Sequence, residues 1–243
     1  MTKFICELGK AHEGKMDIAK KMILEAKEMD FYAVKAQAYN ISEMSMSHKN
    51  FERYKQCHLT IKQLIKLKEY ADELGIKFWC SVFSEELIEP LSKFTDVIKI
   101  PSTFYSDNNL LNSAMARFDE CHVSTGFHDL DKLPPDKNLV YYLCTSLYPT
   151  PNDMLRLERI PRFNLKGFSY HGNNPDAIAY AIMMGVEYVE LHYTSGVPEL
   201  WQWDMFNIKI LRKRLEEYQE MWEDKPITKE EKKSLKFFKK EFK

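Results

Sequence analysis

At 243 residues, with 44% hydrophobic and 29% charged side chains, the chain has the make-up of a globular protein large enough for one α/β barrel or two small domains. A formal charge of −1 argues against a whole-protein role in gripping nucleic acid or a membrane surface. The N-terminus, MTKFICELG, has no apolar core followed by a cleavage site, and no run approaches the ~18 apolar residues of a bilayer span, so the expected location is the cytoplasm.

Short apolar runs alternate with amphipathic segments along the chain. FICELG (4–9) is followed by a helical pattern over MDIAKKMILEAKEM. FYAVKAQAY (31–39) leads, through a polar loop, into LTIKQLIKLKEYADELG, where apolar residues recur every three or four positions. IKFWCSVF (76–83) precedes a helix near EELIEPLSKF, and DVIKI (96–100) precedes one near NNLLNSAMARF. CHVSTG (121–126) and LVYYLCTS (139–146) read as the fifth and sixth strands, with HDLDKLPPDKN between them too short and proline-rich for a full helix. The seventh and eighth strands end at Ser169 and Thr194, with PDAIAYAIMMG between them, and FNIKILRKRLEEYQEMW closes the series. Eight strands separated by helices or crossovers predict a (β/α)8 TIM barrel over residues 1–222. An open doubly wound sheet is the alternative. It needs a glycine-rich phosphate turn after the first strand, which GKAHEG only distantly approaches in a chain of eight glycines.

Five cysteines without a CxxC pair predict neither a disulfide framework nor a zinc ribbon, and packing as small apolar groups is the expected role. In a barrel the active site gathers where strand C-termini meet their following loops. Those positions carry Glu7 and His12; Lys35 and Gln37; Ser81 and Phe83; Lys99 and Ser102; Ser124 and Thr125; Thr145, Ser146 and Tyr148; Ser169 and His171; Glu190 and His192. Lysines in apolar strands are seldom tolerated unpaired, the competing reading being a stem that snorkels to water. Two lysines and several hydroxyls around one mouth suit a phosphorylated, carboxylated substrate. His171 and His192, at the ends of adjacent parallel strands, form a candidate divalent-metal site with open positions for substrate. Against that reading stand a half-buried strand histidine at 192 and a solvent-facing loop histidine at 171.

The words ICELGKAHEG, AVKAQ, IKIPS, VSTGF, CTSLYPTP, GFSYHG and VELHYT occur in this order. In that order the chain, over about residues 4–230, resembles the N-acetylneuraminate (sialic acid) synthase family, whose patterns are IAEIGxNHxG, AVKFQ, YKIxSGE, LSTGM, CTSxYPTP, GYSDHT and IEKHFT. The resemblance implies condensation of phosphoenolpyruvate with an N-acetylated hexosamine or related aldose. Carbon 3 of phosphoenolpyruvate attacks the open-chain aldehyde, water adds at carbon 2, and phosphate leaves. It further implies that His171 and His192 hold a divalent metal, manganese. Lys35, Ser81, Lys99, Ser102, Ser146 and Ser169 would hold phosphoenolpyruvate, and Glu7, Gln37, Phe83 and Tyr148 would surround the acceptor and the reaction centre as catalytic residues.

Several positions depart from the family pattern. Phe104 stands where the family has the glutamate of KIxSGE, Thr103 replaces the preceding glycine, and Pro101 separates Ile100 from Ser102. Ala11, Tyr170 and Leu143 replace asparagine, aspartate and histidine, and SGVPELWQWD offers only Glu199 or Asp204 for the acid of a family PGPD segment. The family's C-terminal antifreeze-like domain has no counterpart before the chain ends in KPITKEEKKSLKFFKKEFK. The expectation is a minimal synthase with an altered acceptor, or one completed by a homo-oligomer or a separate partner chain. The alternatives are a barrel that binds ligand without turnover and a related phosphoenolpyruvate-dependent synthase for a phosphorylated sugar. The last needs a second basic cluster, and none is evident in the sequence. Residues 223–243 are expected to form a lysine-rich tail, with Leu235, Phe238 and Phe242 on one face if helical, packed on the barrel or docking a second subunit.

Overall fold

A computed structural model describes residues 2–126, 130–133, 137–222, 226 and 228–233. Eight parallel strands close into a barrel in sequence order: β1 (Lys3–Glu7), β2 (Ala33–Ala38), β3 (Lys77–Val82), β4 (Val97–Ile100), β5 (Glu120–Ser124), β6 (Leu139–Cys144), β7 (Gly167–Tyr170) and β8 (Tyr188–His192). Helices lie between them and after β8: α1 (Met16–Glu28), α2 (Phe51–Gln56), α3 (Ile61–Leu74), α4 (Ile88–Ser92), α5 (Asn108–Met115), α6 (Arg159–Arg162), α7 (Pro175–Met183) and, beyond the last strand, α8 (Met205–Trp222). The predicted barrel is therefore the observed fold. The short α2 and α6 fall in segments with no helical period to announce them, and between β5 and β6 the described residues hold only one 3-10 turn, Leu130–Lys132. The expected face of Leu235, Phe238 and Phe242 lies outside the described residues. No helix among them is long and apolar enough to cross a membrane.

Local chemistry sets the helix ends. α3 opens with a capping box, Thr60 accepting from the Gln63 amide and Gln63 from that of Thr60, and closes on Gly75 in the left-handed region. α7 opens on Asn174 with Pro175 in its first turn, and α5 on Asp107, whose carboxylate accepts from the amides of Asn109 and Leu110. On α1, Ala19, Met22, Ile23 and Ala26 are buried at helical spacing.

Strand alternation divides the apolar residues into two clusters. Phe4, Cys6, Val34, Ala36, Phe78, Cys80, Ile98, Val123, Phe168, Val189 and Leu191 point outward and join the helices in the larger core. Ile5, Ala33, Trp79, Tyr142 and Tyr188 point inward and fill the barrel. Gly167 is required there, since a Cβ would overlap the Tyr142 ring. All five cysteines are buried and free, as packing groups should be.

Candidate active site

The period of two that sends Ile5 and Trp79 into the barrel sends Glu7 and Ser81 inward one step further along. Strand register then sets the neighbours: Glu7 lies opposite Lys35 and His192, Ser81 opposite Lys99, and Ser169 opposite Glu190. A cleft of about 1060 Å³ opens over these ends. It is lined by the twelve residues to which the family resemblance gave a role, Glu7, Lys35, Gln37, Ser81, Phe83, Lys99, Ser102, Ser146, Tyr148, Ser169, His171 and His192, and by Ser124 and Glu190. His12, Thr125 and Thr145 lie outside the lining. His12 Nδ1 accepts from the Gly14 amide, Thr125 donates to the Tyr142 carbonyl, and Thr145 donates to that of Met154.

The floor is a buried charge cluster. Lys35 donates to Glu7 Oε2 and to Ser81 Oγ, and its ammonium is 3.5 Å from Glu190 Oε2. Lys99 stands 2.8 Å from the same Glu190 oxygen and 4.0 Å above the Tyr142 ring. Ser169 donates to the other oxygen of Glu190 at 3.0 Å. Glu7 Oε1 accepts from the Gly9 amide at 2.9 Å and from Gln37 Nε2 at 3.0 Å. Burial opposes the charge on Lys35, but Glu190 and Glu7 outweigh it and its pKa is raised. At Lys99 burial prevails over Glu190 and the pKa is lowered. Glu190 is buried too, yet the two lysines hold its carboxyl well below the usual range. Lys99 Nζ is 2.8 Å from that carboxylate but badly aligned with it, so no acceptor among the described residues receives a well-directed hydrogen bond from the ammonium. Donors that are buried, charged and unfilled call for an anion. Beside them Ser102 and Ser146 hydroxyls meet at 2.8 Å.

Both candidate metal ligands are buried, which removes the solvent-facing reading of His171 and the half-buried reading of His192. Their ring centroids are 5.2 Å apart. His171 Nδ1 donates to the Thr145 carbonyl at 3.0 Å, which leaves Nε2 with a free lone pair. Burial, reinforced at His171 by His192, pushes both pKa values down to about 3, so the imidazoles are neutral, as metal ligation requires. Gly9 makes room for the pair: its φ is +52° and a Cβ would lie 3.1 Å from His192 Nδ1. Among the described residues no set of three or more His, Cys, Asp or Glu could hold an ion. The two neutral imidazoles could supply two nitrogen donors to a divalent metal. Tyr148, preceding a cis Tyr148–Pro149 bond, lies over His171 with centroids 4.1 Å apart, and Trp201 meets His192 edge-on at 5.0 Å.

The profile of the NeuB family matches residues 8–205. The chain belongs to the NeuB family. Uncharacterized protein MJ1065 of Methanocaldococcus jannaschii is 27% identical over 88% of this chain and 72% of its own length. Pseudaminic acid synthase of Campylobacter jejuni is 27% identical over 78% of this chain and 64% of its own length, so the chain spans about two thirds of these curated relatives. The crystal structure of N-acetylneuraminic acid (sialic acid) synthetase from Leptospira borgpetersenii, in complex with citrate, superposes with a TM-score of 0.82 at 22% identity, covering 97% of this chain and 90% of that one. This likeness is one of fold.

Within the NeuB family pattern the substitution at 104 has a structural expression. Phe104 meets Phe83 edge-on at 5.9 Å, and Phe83 meets Tyr39 at 6.2 Å, so this wall of the cleft is aromatic. The structure also assigns contacts to residues that had no role on sequence grounds. Glu190 anchors both lysines, a role its inward place two residues before His192 could have signalled. Lys10, Lys49, Arg53 and Tyr54 also line the cleft. Lys10 comes from the loop after β1, Lys49 from the turn before α2, and Arg53 and Tyr54 from α2 itself.

Proposed function

We propose that this NeuB-family barrel condenses phosphoenolpyruvate with an N-acylated aldose to give a nonulosonic acid and inorganic phosphate. The observation that carries the reading is the buried Lys35–Glu190–Lys99 cluster at the floor of the cleft, where two ammonium groups share one carboxylate. Lys35 and Lys99 bind the carboxylate and phosphate of the enol ester, and Ser81, Ser102, Ser146 and Ser169 orient it by hydrogen bonds. A new bond forms between carbon 3 and the aldehyde carbon, whose oxygen takes up a proton. Water then adds at carbon 2 and phosphate departs from the tetrahedral centre, leaving the 2-keto acid. His171 and His192 would hold a divalent metal, which supplies Lewis-acid chemistry near the carbonyl. Glu7 is the carboxylate that would exchange a proton there, and the register of β1 with β8 sets it opposite His192. Gln37 orients Glu7, while Phe83, Phe104 and Tyr148 exclude water on the acceptor side.

The test is phosphate release from phosphoenolpyruvate with Mn2+ and a panel of N-acetylhexosamines and their deoxy and phosphorylated forms. A His171→Ala, His192→Ala protein serves as control. Acceptor-dependent release that disappears in the control is expected. Saturable phosphoenolpyruvate binding with no release for any acceptor would sink the synthase reading in favour of a barrel that binds without turnover, the outcome that Phe104 in place of a carboxylate would then explain.

A further inference from the structure

The two histidines of the cleft are held in different ways. The His171 ring is tied through Nδ1 to the Thr145 carbonyl at 3.0 Å. The His192 ring makes no hydrogen bond among the described residues, although its carbonyl accepts from the Trp203 amide at 2.8 Å. An imidazole without a hydrogen-bonded partner is oriented by what packs against it. Around His192 the packing is aromatic: Trp201 meets it edge-on at 5.0 Å, His171 at 5.2 Å and Tyr148 at 6.0 Å.

Trp201 is itself pinned. Its Nε1 donates to Glu199 Oε2 at 3.0 Å, and the Glu199 side chain also meets Arg53 of α2 at 3.4 Å. Two further hydrogen bonds close the turn that carries the indole, from the Gln202 amide to the Glu199 carbonyl at 2.9 Å and from the Glu199 amide to Gln202 Oε1 at 3.0 Å. Trp203, two residues on, is buried and donates through Nε1 to the carbonyl of Gly172, the residue after His171, at 2.8 Å. Trp201 also meets Tyr148 at 5.2 Å, so the rings that contact His171 and His192 form one aromatic cover. All of this lies in SGVPELWQWD, the stretch that departs from the family's PGPD segment, so the family pattern assigns Trp201 no role.

We propose that Trp201 is the positioning residue of His192, doing by ring packing what the Thr145 carbonyl does for His171 by hydrogen bonding. The indole presets the second imidazole, and a preset ligand pair gives up less freedom when it takes an ion. This rests on the metal reading of His171 and His192 above and adds to it the residue that orients one ligand.

The test is Mn2+ binding without substrate. The ion is titrated into the full chain after EDTA treatment and removal of the chelator, and free Mn2+ is read from its electron paramagnetic resonance signal. Wild type is compared with Trp201→Ala, Trp201→Phe, Glu199→Ala and the His171→Ala, His192→Ala protein, with metal-free thermal unfolding as the folding control. The dissociation constant is expected to rise roughly 10- to 100-fold in Trp201→Ala, the loss typical of a missing ligand-orienting partner. It should rise about 5-fold in Glu199→Ala, which frees the indole N–H, and stay close to wild type in Trp201→Phe, which keeps a ring against His192. Metal-free unfolding midpoints should remain near the wild-type value, since the indole is only partly buried. A folded Trp201→Ala protein that binds Mn2+ as tightly as wild type would overturn the positioning role and leave the histidine pair standing as the metal site. If Trp201→Ala does not fold, an unchanged constant in Glu199→Ala overturns the role in its place. Wild-type binding that is absent, or that survives loss of both histidines, would overturn the metal reading and this inference with it.

Discussion

Below the level of Lys99 the barrel interior is filled by Ile5, Trp79, Tyr142 and Tyr188 around His122, and above it by Glu7, Lys35, Lys99, Glu190 and the serines. Both layers are inward positions of the same eight strands, and both contain buried polar atoms. In the lower layer those atoms satisfy one another: His122 shares a 2.6 Å hydrogen bond with the Tyr142 hydroxyl and another with Glu120 Oε1, and Lys3 donates to the Tyr188 hydroxyl at 3.1 Å. Lys99 Nζ and Gln37 Oε1 are the buried side-chain atoms without a hydrogen-bond partner among the described residues, and both line the cleft. The difference teaches where the ligand belongs. A closed polar network stabilises the fold, whereas unfilled donors store binding capacity at a cost in stability.

Removing the shared anion of the upper layer should have the largest effect. Glu190→Gln removes the carboxylate that Lys35 and Lys99 share and leaves Glu7 as the carboxylate paired with Lys35. We expect a loss of about 3–5 kcal/mol in denaturant unfolding, together with loss of phosphate release. Lys99→Met instead removes an ammonium whose charge burial opposes more than Glu190 supports it. It should cut phosphate release by at least ~100-fold, chiefly through the KM for phosphoenolpyruvate, while the unfolding midpoint holds or rises. A marked drop in stability would mean that Lys99 belongs to the structural layer after all. His122→Leu acts on the lower layer alone and strands the Tyr142 hydroxyl. The expected cost is ~1–3 kcal/mol of stability, with the KM for phosphoenolpyruvate little changed.

The sequence displayed the barrel and the floor of the site for one physical reason. Both depend on period two along strands and on C-terminal strand ends, so AVKAQ, VIKIPS and VELHYT announce Lys35, Lys99 and His192 without knowledge of any contact. Glu190 was visible by the same alternation but needed its two lysines beside it before a role could be assigned. His122 and Tyr142 read as parts of two unrelated strands, and only pairing β5 with β6 joins them. Lys10, Lys49 and Arg53 were illegible as a group, because no period connects the loop after β1 to the segment around α2. Phe104 was visible as a departure, yet its packing against Phe83 is a matter of how two loops meet.

Acid should separate the layers less sharply, because buried neutral histidines occur in both. Burial lowers the pKa of His122 against the opposing pull of Glu120, and it lowers those of His171 and His192 to about 3. Such a group binds a proton in the unfolded chain before it does so in the folded one. Stability is therefore full above the unfolded histidine pKa of about 6.5 and falls as pH drops below it, by up to ~1.4 kcal/mol per pH unit for each histidine. Glu190, held low by Lys35 and Lys99, adds a loss of the same sign below the ordinary carboxylate range. Thermal unfolding between pH 8 and pH 5, with EDTA present, should show the midpoint descending. The slope should be shallower in His122→Leu, and an unchanged slope would mean that His122 does not stay neutral in the folded protein.

Tyr142 belongs to both layers, since its ring faces Lys99 and its hydroxyl meets His122. Tyr142→Phe keeps the face and deletes the hydroxyl, so it cuts the link to the lower network while leaving the support of the ammonium in place. The expected loss is about 1 kcal/mol of stability, the ordinary net value of one hydrogen bond. Phosphate release and its KM for phosphoenolpyruvate should move less than the Lys99→Met values by an order of magnitude or more. Tyr142→Leu removes the face as well, and a rise in that KM specific to the leucine variant would assign the support of Lys99 to the ring. If the phenylalanine variant instead raised the KM as far as leucine does, with its unfolding midpoint unchanged, the hydroxyl and His122 would be acting on Lys99 through the ring. The lower layer would then be part of the site it supports.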